Sequence, residues 1–204
     1  MIISKTKKFI YFSLAKTAST STGRFFEQFC DPKIDHIKND AKYPTGNVKR
    51  LQYWKHMPPR VINKNVTDLQ WNSYFKFGNI RNPWDRVVSG FFFSEQFCRN
   101  PKLQSFDNWV NCHLKKHCDP LEEWYNVNGL SFYDCMDFFI RFENLKGDIE
   151  TACAKLGLPC DLSKLGNDFE TKRDKDYRKY YNDDTKLIVA KKFKKEIEVF
   201  NYEF

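Results

Sequence analysis

Residues 8–22 read Lys-Phe-Ile-Tyr-Phe-Ser-Leu-Ala-Lys-Thr-Ala-Ser-Thr-Ser-Thr. The run from Lys8 to Leu14 is apolar and short, as a buried strand should be. A polar turn follows. Ser19 to Phe29 then reads as a helix, with Ser and Thr at its start. A strand that feeds through a tight turn into a helix is the opening of an α/β unit.

Working outward, the same grammar recurs. Tyr74 to Ile80 reads as a second strand within the segment from Trp71. Pro83 follows as a good first helical residue, with Asn82 as cap and Asp85 three positions later. That helix places Trp84, Val87, Val88, Phe91 and Phe92 on one face and Asp85, Arg86 and Ser89 on the other. A further helix covers about Phe106 to His117. Cys135 to Phe142 reads as a third strand, and Glu143 to Leu156 as a helix closed by Gly157. Asp183-Asp184 opens a last helix with a stripe of Val189, Phe193, Ile197 and Phe200. Residues 31–57 are irregular, and Pro58-Pro59 could open a short helix to Asn65. Strands alternating with helices predict an α/β fold around a parallel sheet. The chain has 204 residues and no Pro/Gly/Ser-rich linker, so a single domain over residues 1–204 is expected.

Composition narrows the chemistry less. Lys and Arg number 34 against 26 Asp and Glu, a formal charge of +8. Such a surface attracts anions without naming one. Much of the excess lies between Lys172 and Lys195, which reads as a solvated tail. No apolar run is long enough to span a bilayer, and the apolar stretch near the start leads straight into the loop motif, so no signal peptide is expected there. Seven scattered Cys fit reduced thiols. These features point to a cytoplasmic protein, with a membrane-anchored lumenal origin left open. Asn65-Val66-Thr67 is a glycosylation sequon, relevant only in a secreted chain.

Two motifs carry chemistry. In the first, Lys16-Thr17-Ala18-Ser19-Thr20-Ser21 lies between strand and helix. Helix N-termini offer backbone N–H groups and positive dipole ends to anions, and Lys16 adds a full charge. It is not the glycine-rich loop in which Lys precedes Ser or Thr at the end. On composition alone, a polar turn capping the helix accounts for it equally well. The second motif is Gly78-Asn79-Ile80-Arg81-Asn82-Pro83-Trp84-Asp85-Arg86-Val87-Val88-Ser89. Arg81 follows a strand, at the carboxyl edge where open α/β sheets bind ligands. Ser89 lies two turns into the next helix, so the guanidinium and hydroxyl could share one anion. An Arg–Asp surface pair beside a helix cap is the alternative.

Taken together, the two motifs resemble those of the sulfotransferases that use 3′-phosphoadenosine-5′-phosphosulfate (PAPS). The likeness is strongest to the carbohydrate branch, such as the heparan 2-O and chondroitin enzymes. Phe139-Ile140-Arg141-Phe142-Glu143-Asn144-Leu145 and the closing Phe200-Asn201-Tyr202-Glu203-Phe204 are similar to later parts of that family. The resemblance implies a P-loop NTPase-like three-layer fold, with a mainly parallel sheet flanked by helices. It implies a PAPS co-substrate, adenosine 3′,5′-bisphosphate as product, and a hydroxyl acceptor on a glycan, with neither metal nor nucleic acid required. By the same resemblance, Lys16 touches the oxygen bridging sulfur and phosphorus. The backbone of Thr17, Ala18, Ser19, Thr20, Ser21 and Thr22, with the hydroxyls of Ser19, Thr20 and Ser21, binds the 5′-phosphate. Arg81 and Ser89 hold the 3′-phosphate, and Lys172 or Arg173 folds back over it.

A hydroxyl nucleophile calls for a base. Of His36, His56, His113 and His117, the family resemblance favours His56, in Trp54-Lys55-His56-Met57-Pro58-Pro59, although some relatives use Glu. Lys55 could assist binding. Cys112-His113-x-x-x-His117-Cys118 fits no usual zinc spacing, and His117 is a reserve acceptor-binding candidate. The alternatives are a nucleotide or small-molecule kinase-like enzyme, a non-catalytic basic binder of nucleotide or glycan, or a family member without catalysis.

Overall fold

The computed structural model describes residues 1–31, 35, 56–98, 105–117, 119–122, 129–168 and 170–204, with only the backbone at 96–98, 113 and 115–117. They form two compact units, Met1–Ile80 with Tyr125–Gly166, and Arg81–Trp124 with Asn167–Phe204.

The first unit is built on a four-stranded sheet in the order β1-β2-β3-β4, where β1 is Ile2–Ser4, β2 Phe9–Phe12, β3 Phe75–Ile80 and β4 Phe138–Arg141. β2, β3 and β4 are parallel, with Phe12 beside Gly78 and Gly78 beside Phe139. This is the mainly parallel α/β sheet that alternating elements predict. Side chains alternate across it, as the two-residue period requires. Phe9, Tyr11, Phe77 and Ile140 pack with Phe25 and Phe26 of α1 (Ser19–Glu27) and with Ile149, Ala152 and Cys153 of α6 (Leu145–Leu156). Ile3, Ile10 and Phe12 pack on the opposite face with Met57 and with Ile62 of α2 (Pro59–Asn63). The sheet is thus covered on both faces, which is why its strands are mostly apolar. Gly78 sits where β2 and β3 approach closely: a Cβ there would lie 2.8 Å from the Phe12 carbonyl oxygen.

Two details depart from the sequence reading. β1 was not expected. It is three residues long and antiparallel to β2, and Asp35 fixes the connecting turn by accepting from the Lys5 and Thr6 N–H groups at 2.7 and 3.1 Å. Trp71, ahead of the strand placed at Tyr74 to Ile80 and found at Phe75–Ile80, lies in a helix, α3 (Asp68–Ser73), that was not expected either. Thr67 and Gln70 cap it reciprocally, a Thr-x-x-Gln signal that was present in the sequence. The expected closure of α6 holds, since Gly157 takes φ 63°, the left-handed conformation that glycine adopts without strain.

The second unit is helical. α4 (Pro83–Cys98), α5 (Phe106–His117), α7 (Asp183–Lys192) and α8 (Lys194–Phe200) surround a core of Trp84, Val87, Val88, Phe91, Trp109, Leu114, Val189 and Phe193. The single last helix of the sequence reading breaks at Phe193, at φ −104° and ψ 21°. Val189 and Phe193 are buried as expected. Phe200 is only partly buried and lies against the Tyr202 ring. The polar face of α4 is buried too: Asp85 is 7% exposed, Arg86 3% and Ser89 7%. Charges this deep need partners: Arg173, from the segment that read as a solvated tail, pairs with Asp85, and Glu196, just beyond it, pairs with Arg86. Among the described residues, no helix is long and apolar enough to cross a membrane.

Candidate active site

β2 and β3 run parallel, so the chain leaves both at one edge of the sheet. From β2 it enters the loop 13–18, and from β3 it passes to Arg81. Each cluster is described within its own unit.

The loop is strained. Lys16 and Ala18 both take left-handed backbone conformations, with φ 63° and 61°. Such a conformation in a non-glycine residue costs on the order of 1–3 kcal/mol and persists where the surroundings hold it. Ala18 is the N-cap of α1 and makes no side-chain cap bond. The expected Ser and Thr therefore do not cap the helix. They lie within its first turn, whose N–H groups have no acceptor inside the helix.

The hydroxyls brace this turn from below. Thr17 Oγ1 donates to the Leu14 carbonyl at 3.0 Å, and Ser19 Oγ donates to the same oxygen. Ser13 Oγ donates to Ser19 Oγ, 3.0 Å away. Thr22 Oγ1 accepts from Asn79 Nδ2 at 3.0 Å, and the Tyr11 hydroxyl donates to Asn79 Oδ1 at 2.7 Å. Burial pushes the Tyr11 phenol well above its ordinary pKa, so it stays a donor. Thr17, Ser19, Ser21 and Thr22 are buried, while Lys16, Ala18 and Thr20 are partly exposed. Thr17 and Ser19 thus spend their hydroxyl protons on the loop itself. What the loop offers an anion is chiefly backbone and the Lys16 charge, arranged as successive N–H groups in a tight turn can arrange them.

His56 belongs to the same unit. Its Nδ1 lies 2.7 Å from the carbonyl oxygen of Ser13, at the entrance to the loop. A carbonyl only accepts, so Nδ1 carries the proton, and in the neutral ring Nε2 holds the lone pair. That is the tautomer a general base requires, oriented by a backbone group.

In the second unit, Arg81 donates through Nε and Nη2 to Asp85 Oδ2, at 2.8 and 2.7 Å. Arg173 Nη2 donates to the other oxygen, Asp85 Oδ1, at 2.6 Å. All three side chains are largely buried. The Arg–Asp pair is therefore neither on the surface nor alone: two cations share one anion, a net +1. At the α4 N-terminus, Asn82 Oδ1 accepts from the Trp84 N–H at 3.1 Å. Ser89 lies one turn beyond Asp85 on the same helix face. Among the described residues its hydroxyl takes no partner, whereas Ser94 bonds back to the Gly90 carbonyl at 2.9 Å.

The pairing of Arg173 with Asp85 across 88 positions had no local signal. Neither had the adjacent ion pair of Arg86 with Glu196. Among the described residues, no three potential metal-ligating side chains gather. Lys55, His36, Cys118 and the side chains of His113 and His117 lie outside the described residues.

A family model described as "Sulfotransferase family" matches residues 1–203. An uncharacterised protein of Archaeoglobus fulgidus is 31% identical over 129 residues, which are 60% of this chain and 98% of that protein. Among solved structures, a sulfotransferase from Alicyclobacillus acidocaldarius is similar at 15% identity, with a TM-score of 0.46 over 95% of this chain and 96% of that one.

Proposed function

The chain belongs to the sulfotransferase family, and from that premise we propose that it moves a sulfuryl group from PAPS onto a hydroxyl of a carbohydrate acceptor. The observation that carries the reading is the strained turn at Lys16 and Ala18, which leads into α1 with no side-chain cap. Strain kept at a helix N-terminus beside a lysine suits an anionic ligand. The cluster of Arg81, Asp85 and Arg173 suits a second anion. Its net positive charge attracts a phosphate, and guanidinium forks match phosphate oxygens. A donor with phosphate at both its 5′ and 3′ positions carries one anion suited to each cluster, and the family match covers the residues of both.

The donor supplies an activated sulfuryl group on a bisphosphate leaving group. The chain's residues do the rest. The backbone from Thr17 to Ser21 holds the 5′-phosphate, the Thr22 N–H being taken by the Ala18 carbonyl, and Lys16 neutralises charge gathering on the bridging oxygen. Arg81, Ser89 and Arg173 hold the 3′-phosphate. His56 takes the acceptor proton at Nε2. Positioning and charge stabilisation of this kind supply most of the barrier reduction in group transfer.

Calorimetric titration with adenosine 3′,5′-bisphosphate, 5′-AMP and ATP tests the nucleotide assignment. Wild type is expected to prefer the bisphosphate, and Arg81→Ala to weaken that ligand by about 10–10²-fold, the worth of one hydrogen bond to a charged group. Equal affinity for bisphosphate and 5′-AMP in the wild type would overturn it. For the base, His56→Asn keeps an N–H to face the Ser13 carbonyl and removes the lone pair. It is expected to lower kcat by about 10²–10⁴-fold with bisphosphate affinity retained. Turnover like that of the wild type would remove His56 from the mechanism.

A further inference from the structure

Among the described residues, Asp85 bonds both arginines of the second cluster, and no part of the reading above gives it a task. Each of its oxygens takes a different guanidinium: Oδ2 takes Nε and Nη2 of Arg81, and Oδ1 takes Nη2 of Arg173. The two partners differ in how they are held. Arg81 directly follows β3 and lies four residues before Asp85, so the start of α4 limits where it can go. Arg173 lies in an irregular stretch between the turn at Leu162–Lys164 and the turn at Tyr177–Tyr180. Its other recorded bond is a long one, 3.4 Å from Nη1 to the Asp174 carbonyl next to it in sequence. Asp85 is therefore its tie to a regular element.

We infer that Asp85 is a positioning residue, a shared carboxylate that holds Arg81 and Arg173 at a fixed spacing so that both present to one phosphate. This rests on the reading of the cluster as the 3′-phosphate site. The physical argument is one of sign. A carboxylate beside a phosphate site opposes phosphate by charge, so on Coulomb grounds alone its loss should tighten anion binding. An Arg173 side chain without that tie, beside an Arg81 that has lost its carboxylate, would have to be ordered by the ligand itself, which weakens binding. Where the carboxylate bonds both guanidiniums, as here, preorganisation outweighs the repulsion. The specificity consequence is that Asp85 governs discrimination between nucleotides with and without a 3′-phosphate, though it need not touch either.

The test is calorimetry of Asp85→Asn with adenosine 3′,5′-bisphosphate and with 5′-AMP, beside a thermal melt. The asparagine keeps shape and one acceptor but cannot accept from both arginines as an anion does. The expected result is bisphosphate affinity at least about 10-fold lower with 5′-AMP affinity within about twofold of wild type, so that preference for the 3′-phosphate collapses. Bisphosphate binding that is unchanged or tighter would show that the carboxylate only offsets charge, and would overturn the inference. A parallel fall for both nucleotides would assign Asp85 to the scaffold and overturn it equally. Arg173→Lys provides a second arm that leaves α4 untouched. It keeps the charge and loses the fork, and the inference requires the same selective loss. If wild type itself shows no preference for the bisphosphate, the 3′-phosphate reading falls, and that result is separate from any behaviour of the variants.

Discussion

Replacing Lys16 with alanine is expected to lower kcat by at least about 10²–10³-fold, the scale seen when one preorganised donor to developing negative charge is removed. The effect should fall on turnover and much less on affinity for adenosine 3′,5′-bisphosphate. In the proposed mechanism, Lys16 acts on charge that gathers as the sulfur–oxygen bond breaks, while the remaining loop backbone still holds the 5′-phosphate of the product nucleotide. Single-turnover rates with saturating PAPS, read beside bisphosphate titration, separate the two. The left-handed φ of 63° at this position adds a second arm. Lys16→Gly removes the ammonium but adopts the same backbone without strain. If the charge matters, glycine and alanine variants are equally slow, and the glycine variant is the more stable of the two. Bisphosphate binding retained with turnover unchanged in Lys16→Ala would dismiss the assignment.

The second large effect is on stability. Arg86→Ala is expected to destabilise the protein by about 3–5 kcal/mol, because it strands a charged partner in the interior. Arg86 bonds Glu196 at 3.1 Å through Nη1 and 3.4 Å through Nη2, and the two side chains are 3% and 2% exposed. Nη2 also donates to the Asp119 carbonyl at 3.0 Å, and the guanidinium lies 4.9 Å from the centre of the Phe193 ring. Glu196 accepts from the Leu121 N–H as well, at 2.8 Å. The pair thus ties α4, α8 and the 119–121 segment together within the helical unit. Burial raises the Glu196 pKa above the ordinary carboxylate value, against the lowering effect of Arg86.

The pH dependence follows from that direction. A carboxyl whose folded-state pKa is raised adds stability below its unfolded pKa and loses it as pH rises through the folded value. Without Arg86 the folded value rises further. The deficit of Arg86→Ala relative to wild type is therefore largest at neutral pH and shrinks on acidification. At about 2–4 °C per kcal/mol for a chain of this size, the loss near neutrality is roughly 6–20 °C in melting temperature. A double change to Met at 86 and Leu at 196 should recover much of it, since well-packed apolar side chains commonly replace a buried pair at little cost. Equal melting of Arg86→Ala and wild type at pH 7 would contradict the account.

The strand–turn–helix start, the parallel sheet, the α4 start at Pro83 and the Gly157 stop were legible in sequence because each depends on neighbours within a few positions. Apolar runs, a proline suited to a first turn and a glycine free to take positive φ act locally. The elements the sequence did not announce are short ones settled by context. Ile2 to Ser4 is too short to announce a strand, yet pairing with β2 buries it completely. Asp68 to Ser73 is a helix of six residues, signalled only by the capping box at Thr67 and Gln70.

The candidate site divides along the same line. By itself the sequence determined which residues could meet anions: Lys16 and its turn after one strand, Arg81 and Ser89 after another, at spacings the secondary structure fixes. Only the tertiary structure decided how each is used. It turned the hydroxyls of Thr17 and Ser19 inward to the Leu14 carbonyl, and it set the His56 ring on Ser13 across 43 positions. It brought Arg173 to Asp85 across 88 and Glu196 to Arg86 across 110. The reason is that a buried charge or hydroxyl must find a partner wherever the folded chain supplies one. That partner leaves no periodic trace in the sequence around it.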